Sequence, residues 1–251
     1  MKDIRRRDSN PSADADFPKT AFLLGAGLGT RLRPLTERCP KPLLPLGGKP
    51  MLCRAMDALL VLGVERFIVN THHAAEAYAE AFPRGDYRGA PVSLVHEPVL
   101  LDTGGGLKNI EPLLVPADEN LLVYNGDILA ELDLRALAAT HARSRALATL
   151  LLRTDARGNV NFDDATARVE DLRDRLGRAG TRRCRFTGIY IVSRKFFDEI
   201  PAGKIESVVE AFLRVVARGN GEIRGVIDDA GSWRDLGTPE EYAAAQRDFA
   251  A

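Results

Sequence analysis

The chain has 251 residues, with 35 Lys+Arg against 35 Asp+Glu for a formal net charge of zero, and is 45% hydrophobic and 28% charged. Folding at this length buries roughly 70–75% of the unfolded surface, enough for one large core or two small ones. The neutral balance argues against a general nucleic-acid binder, and no apolar run approaches a membrane span. Cys39, Cys53 and Cys184 are scattered, giving neither a disulfide framework nor a CxxC metal pair. The composition therefore points to the cytoplasm, with neither nucleic acid nor membrane as partner. The oligomeric state stays open, a homodimer included.

In chain order, Met1–Pro18 is basic at Arg5–Arg7, then polar and acidic, with no apolar stretch of the kind a signal peptide carries. It reads as a disordered leader, residues 1–18, that joins no core and is removable without loss. Strands are predicted at Ala21–Leu24, Phe67–Val69, Pro91–Val95, Leu121–Tyr124 and Leu147–Leu152, and helices at Met51–Leu62, Ala74–Phe82 and Leu132–His141. This alternation implies βαβ units, a largely parallel sheet, and ligands at the carboxyl ends of the strands. After residue 150 shorter, antiparallel strands are expected at Val160–Phe162, Val169–Leu172 and Arg185–Val192. Helices at Glu206–Ala217 and Pro239–Phe249 close the chain, and no hexapeptide repeat follows.

The densest chemistry is Leu24-Gly25-Ala26-Gly27-Leu28-Gly29-Thr30-Arg31-Leu32, just after the first strand. Three alternating glycines let the backbone approach a ligand without Cβ obstruction, and successive N–H groups at a strand end can cradle phosphate oxygens. A tight turn is the competing reading of the glycines alone. No Walker Lys-Ser/Thr pair follows, and Thr30 and Leu32 stand where the last glycine of a GxGxxG fingerprint belongs. Arg31, Arg33 and Lys41 come close behind, with Lys41 expected in a rigid, extended Pro40-Lys41-Pro42 segment. A glycine loop joined to a fixed lysine and arginine suits a polyphosphate, whereas Lys41 taken alone would be a solvated surface lysine.

Leu24 to Pro45, reading LGAGLGTRLRPLTERCPKPLLP, resembles the signature of the sugar-1-phosphate nucleotidylyltransferases: L-x-x-G-x-G-T-R-L, then P-L-T, then P-K-P-L. The likeness continues through Asp102–Gly106, Asn125-Gly126-Asp127, Thr187–Tyr190 and Trp233–Thr238, so it covers nearly the whole chain from Thr20. Gly25 stands where many relatives carry alanine, a departure expected to leave backbone contacts undisturbed. The short length and Leu101-Asp102-Thr103-Gly104-Gly105-Gly106 are most similar to N-acetylmuramate-1-phosphate uridylyltransferases, with short mannose- and heptose-1-phosphate guanylyltransferases close behind.

The resemblance implies a three-layer αβα, Rossmann-like nucleotidyltransferase fold with a mixed, mostly parallel sheet. It implies one domain over residues 19–251, with a nucleotide half (about 19–145) and a sugar-phosphate half (about 146–251). The implied reaction joins a nucleoside triphosphate, UTP or GTP, to a sugar-1-phosphate, with Mg²⁺ as cofactor. Arg31, Lys41 and Asp127 would be catalytic. Leu24, Gly25, Ala26, Gly27, Gly29, Thr30, Arg31, Lys41 and Asn125 would meet the nucleotide, with Glu97, Thr103 and Gly104 beside the base. Asp127 and Asp235 would hold Mg²⁺, whose hard charge suits carboxylates plus substrate phosphates; as isolated residues, without the motif, they read sooner as an Asx-turn and a helix cap.

A carboxylate at Glu97 could accept from guanine or from uracil, and Thr103–Gly106 could equally be a helix start with Thr103 as its cap. Many relatives carry a Glu-Lys-Pro whose lysine touches the sugar phosphate, but Val169–Arg175 has no such triplet. Gly158, Gly188 and Lys204 are the expected sugar-phosphate residues, Lys204 competing with a solvated helix-start lysine. Arg182, Arg183 and Arg185 read as a solvated strand edge, His72 and His73 as loop histidines, and Trp233 as packing. Two other functions fit the same loop: a non-catalytic nucleotide sensor, and transfer to another acceptor such as phosphocholine.

Overall fold

The computed structural model describes residues 17–250. Its centre is a ten-stranded mixed sheet, and alternate side chains of the central strands enter opposite cores, as the period of a strand requires. In β1 (Thr20–Leu24), Phe22 packs on one face while Ala21 and Leu23 pack on the other. In β7 (Asn120–Asn125), Leu121 and Val123 oppose Leu122 and Tyr124 in the same way. One face is covered by α1 (Met51–Val61), α2 (Ala75–Ala81) and α4 (Leu134–Ser144). The other is covered by α3 (Asp102–Asn109) and α5 (Val208–Ala217). The result is a three-layer αβα sandwich.

β7, β1, β4 (Arg66–Thr71) and β6 (Ala90–His96) run parallel. β12 (Arg182–Ser193) runs antiparallel to both β7 and β9 (Ala148–Thr154), and β13 (Ile223–Ile227) returns parallel to β9. At the far edge β10 (Val160–Asp163) bonds to both β11 (Arg168–Leu172) and β12. A short ribbon of β8 (Ile128–Glu131) with β14 (Ser232–Asp235) and the last helix, α6 (Pro239–Ala250), complete what bears on the site. No helix among the described residues is long and apolar enough to cross a membrane.

The predicted strands and helices appear where the apolar periods put them, and further strands join them, β8, β13 and β14 among them. β13 escapes notice because Arg224 and Gly225 interrupt its pattern. α3 takes the alternative left open at Thr103–Gly106, a helix start, although three consecutive glycines disfavour a helix. Those glycines serve contact rather than propensity: a Cβ on Gly104 would lie 2.8 Å from the Glu206 carbonyl, and one on Gly105 2.4 Å from that of Lys204.

Two corrections concern the segments before and after β1. Residues 1–16 lie outside the described residues, but Phe17 is 2% exposed within the α1/α2/α4 core and Pro18 is buried too. A leader ending at 18 would thus take core residues with it. Phe17→Ala should cost about 3 kcal/mol, read as a lowered urea midpoint. Lys41 is also not extended: Lys41–Leu43 forms a 3-10 turn after an extended Pro40, with Pro42 in the first turn, where a missing N–H is tolerated.

His141 of α4 is 4% exposed and sits between the Thr149 hydroxyl at 2.9 Å and the Asn120 side-chain oxygen at 3.0 Å. Burial pulls its pKa from 6.5 to about 4. The unfolded chain takes up this proton at a higher pH than the folded one, so stability is present above about pH 6.5 and is lost as pH falls toward 4. The difference should reach about 2 kcal/mol between pH 7.5 and pH 5. Urea midpoints at the two pH values, compared with those of His141→Gln, isolate this contribution; equal pH dependence in both proteins would contradict it.

Candidate active site

Leu24 of β1 stands in register with Asn70 of β4 and Asn125 of β7, so three strands end side by side on one edge. A cleft of about 540 Å³ opens there, the expected ligand edge of such a sheet. The glycine loop forms one wall through Leu24, Ala26, Gly27, Gly29, Thr30 and Arg31, and Leu100, Asp102 and Thr103 form another. A second cleft, about 310 Å³, lies beside it, lined by Gly158, Gly188, Thr187, Trp233, Asp235 and three arginines. Asn125 and Asp127 belong to both clefts.

Lys41, Asp127 and Asp235 meet at that junction. Lys41 is 5% exposed, and its Nζ donates to Asp127 Oδ2 at 2.7 Å and to Asp235 Oδ1 at 3.4 Å. Asp127 occupies the turn between β7 and β8, and β14 pairs with β8 so that Asp235 faces Ile128, next to Asp127. That ribbon is how two carboxylates so distant in sequence come together. Leu32, beside Arg31, and Leu236, beside Asp235, are buried in one cluster with Tyr242 and Ala245 of α6, which ties the arginine turn to the second aspartate. Arg31 is exposed over Gly237 and has no carboxylate partner among the described residues.

One ammonium set against two carboxylates leaves an excess of negative charge at the junction. Hard oxygens turned toward a shared cation are a donor set that fits Mg²⁺. Among the described residues no group of three or more His, Cys, Asp or Glu offers an alternative metal site.

Four expected contacts lie elsewhere. Gly25 does not line the cleft: its N–H donates to Asn70 Oδ1 at 2.7 Å and its carbonyl accepts from the Tyr78 hydroxyl at 2.8 Å. A Cβ there would fall 2.5 Å from the Asn70 carbonyl, so the glycine is no neutral exchange for alanine. Glu97 is fully buried behind the cleft, one carboxylate oxygen accepting from Asn70 Nδ2 and the other from the Leu101 N–H, so it does not reach a base. Gly104 spends its N–H on the Glu206 carbonyl. Lys204 is exposed and lines neither cleft. Thr103 does line the nucleotide-side cleft, but it caps α5 rather than α3, its hydroxyl accepting from the Val208 N–H at 2.9 Å.

Sequence reasoning missed the cations of the second cleft, Arg157, Arg173 and Arg185. Arg185 is held at 2.7 Å by Asp155, whereas Arg157 and Arg173 have no side-chain carboxylate partner among the described residues. Arg173 adopts a left-handed φ of 58° on a loop strapped down by Asp171. That fully buried carboxylate accepts from the backbone N–H groups of Arg175, Leu176 and Arg178. Asp171 followed by Arg173, Arg175 and Arg178 was the available signal. Trp233 donates its indole N–H to the Thr187 carbonyl at 3.0 Å, and His72 and His73 bond to the backbone oxygens of Glu97 and Thr36.

A family model described as Nucleotidyl transferase matches residues 20–251. The chain belongs to this family. A mannose-1-phosphate guanylyltransferase of Mycobacterium tuberculosis is 35% identical over 91% of this chain, which spans 64% of that relative. An N-acetylmuramate alpha-1-phosphate uridylyltransferase of Neisseria meningitidis is 30% identical over 90% of this chain and 96% of its own length. Among solved structures, HddC from Yersinia pseudotuberculosis complexed with GMP-PN superposes with a TM-score of 0.73 at 25% identity, covering 92% of this chain and 99% of that one. The nucleotidyl transferase fold thus extends from β1 to the end of the described chain.

Proposed function

We propose that this chain transfers a nucleoside monophosphate from a nucleoside triphosphate to a sugar-1-phosphate, releasing pyrophosphate. The observation that carries the reading is the Lys41–Asp127–Asp235 cluster at the junction of two clefts that share Asn125 and Asp127. A triphosphate along the glycine loop and a phosphorylated sugar beside Gly158, Gly188, Arg157 and Arg173 would bring their phosphates together there.

In the step itself a sugar-phosphate oxygen forms a bond to the α-phosphorus, and the bond from that phosphorus to the bridging oxygen breaks, its electron pair leaving with pyrophosphate. No general base is needed, because a phosphomonoester is largely dianionic above its second pKa of about 6. The obstacle is the approach of two anions and the charge growing on the leaving group. Arg31 and Lys41 offset both from fixed positions. Asp127 and Asp235 are the groups that would hold Mg²⁺, which supplies charge neutralisation to the phosphates. Water is thinned around Lys41 by its burial, which strengthens its field.

For the base and sugar, uridylyl transfer to an N-acetylmuramate-like sugar-1-phosphate is the first reading, supported by the relative that this chain spans at 96% of its length. Guanylyl transfer to mannose- or heptose-1-phosphate is the second, supported by the 35% identical relative. A reaction drawing on nucleoside triphosphates fits the cytoplasm. Pyrophosphate release measured with UTP and GTP against a panel of sugar-1-phosphates tests all of this. Turnover with one pair identifies the substrates, and nucleotide binding without turnover on any pair would turn the reading into the nucleotide sensor.

A further inference from the structure

The fully buried Glu97 forms no ion pair among the described residues, and its two carboxylate oxygens meet two neutral donors. Oε1 accepts from Asn70 Nδ2 at 2.7 Å and Oε2 accepts from the Leu101 N–H at 3.0 Å. Asn70, 2% exposed, turns its own oxygen to the Gly25 N–H at 2.7 Å, and that donor dictates which way the amide points. The bonds form one chain, from the Gly25 N–H through Asn70 and Glu97 to the Leu101 N–H. Each end of the chain adjoins a wall of the nucleotide-side cleft: Leu24 and Ala26 flank Gly25, and Leu100 and Asp102 flank Leu101. The backbone of Gly106 in α3 closes over the middle, where a Cβ would lie 2.8 Å from Glu97 Oε1 and 2.9 Å from Asn70 Nδ2.

We infer that Asn70 and Glu97 are positioning residues that fix the gap between the glycine loop and the Leu100–Thr103 wall, and thereby set nucleotide affinity. This rests on the reading that the cleft takes a nucleoside triphosphate. The two walls come from different crossovers of the sheet, and the amide–carboxylate bond is the rigid spacer between them. Both groups are buried, so water cannot replace a lost partner, and a mismatch forces one wall to move.

The polarity of the chain provides a test. Glu97→Gln keeps the shape but leaves two donors facing each other at Asn70, at Leu101 or, after an amide flip, at Gly25. Asn70→Asp sets two carboxylates against each other. The double variant Asn70→Asp with Glu97→Gln reverses only the central bond: the aspartate accepts from Gly25 and from the glutamine NH₂, and the glutamine oxygen accepts from Leu101. Net charge is unchanged. The measurement is the dissociation constant of GTP and of UTP with Mg²⁺, made where circular dichroism shows each variant folded.

Each single variant should weaken the nucleotide that wild type binds by about tenfold or more, and the double variant should return to within about threefold of wild type. Single variants that lose thermal stability but bind nucleotide as wild type does would reduce the chain to packing and overturn the inference. A double variant no better than the weaker single would also overturn it. A wild type with no affinity for either nucleotide would instead remove the underlying reading.

Discussion

Replacing Lys41 with methionine should lower turnover by on the order of 10²-fold or more, and should tighten divalent-cation binding in the absence of nucleotide. Both effects follow from one position. Lys41 is 5% exposed and its ammonium lies between Asp127 and Asp235, where it serves as their counter-ion. On the proposed reading, a triphosphate in the cleft would turn phosphate oxygens toward the same charge, and a methionine would leave the leaving group unsupported. Without nucleotide, the variant presents two carboxylates and no competing cation. Their side chains are 35% and 48% exposed, so water still reaches them and the fold should survive. Pyrophosphate release gives the first effect, and Mn²⁺ titration followed by electron paramagnetic resonance on the nucleotide-free protein gives the second. Wild-type turnover would show that Lys41 does not act on phosphate, and an unchanged Mn²⁺ affinity that it does not screen the pair.

Much of this was legible in the sequence because it is carried by local pattern. Apolar runs such as Leu121–Tyr124 and the helical spacing of Met51–Leu62 placed the sheet and its layers, and the glycine loop declared its strand end. What was not legible depends on which backbone groups are already spoken for. Gly25 looks like a phosphate-cradle glycine in sequence and Gly104 like one beside the base, but their N–H groups go to Asn70 and Glu206. Glu97 sits in a stretch whose neighbours line the cleft, yet its carboxylate points the other way, into the core. Phe17 follows a stretch dominated by polar and charged residues, with Met1 and Ile4 its only large apolar side chains, and only the closed core shows Phe17 packed. Arg173 and Arg157 enter the second cleft through a left-handed loop and a tight turn, geometries that no periodicity announces. Asp235 was found through its motif; the β8–β14 ribbon that brings it to Asp127 was not foreseen.

Asp127→Asn and Asp235→Asn should each abolish most activity, unequally. Asp127 lies at the shared wall of both clefts and bonds Lys41 at 2.7 Å, while Asp235 lines only the second cleft and stands at 3.4 Å. The loss for Asp127→Asn should therefore be on the order of 10³-fold, and that for Asp235→Asn on the order of 10²-fold. An amide keeps the shape and one acceptor oxygen but gives up the charge that would hold a hard divalent cation, so on the proposed reading both variants should demand more Mg²⁺ for half-maximal activity. EDTA should silence the wild type, and excess Mg²⁺ should restore it. The sign of the Lys41 interaction makes the comparison sharper. Neutralising either aspartate also frees the ammonium from one partner, so a site that needed only Lys41 and Arg31 would hold phosphate more tightly and lose little. Near-wild-type turnover in both asparagine variants, or activity that persists in EDTA, would assign the charge neutralisation to the basic residues alone and leave the two carboxylates as anchors for Lys41.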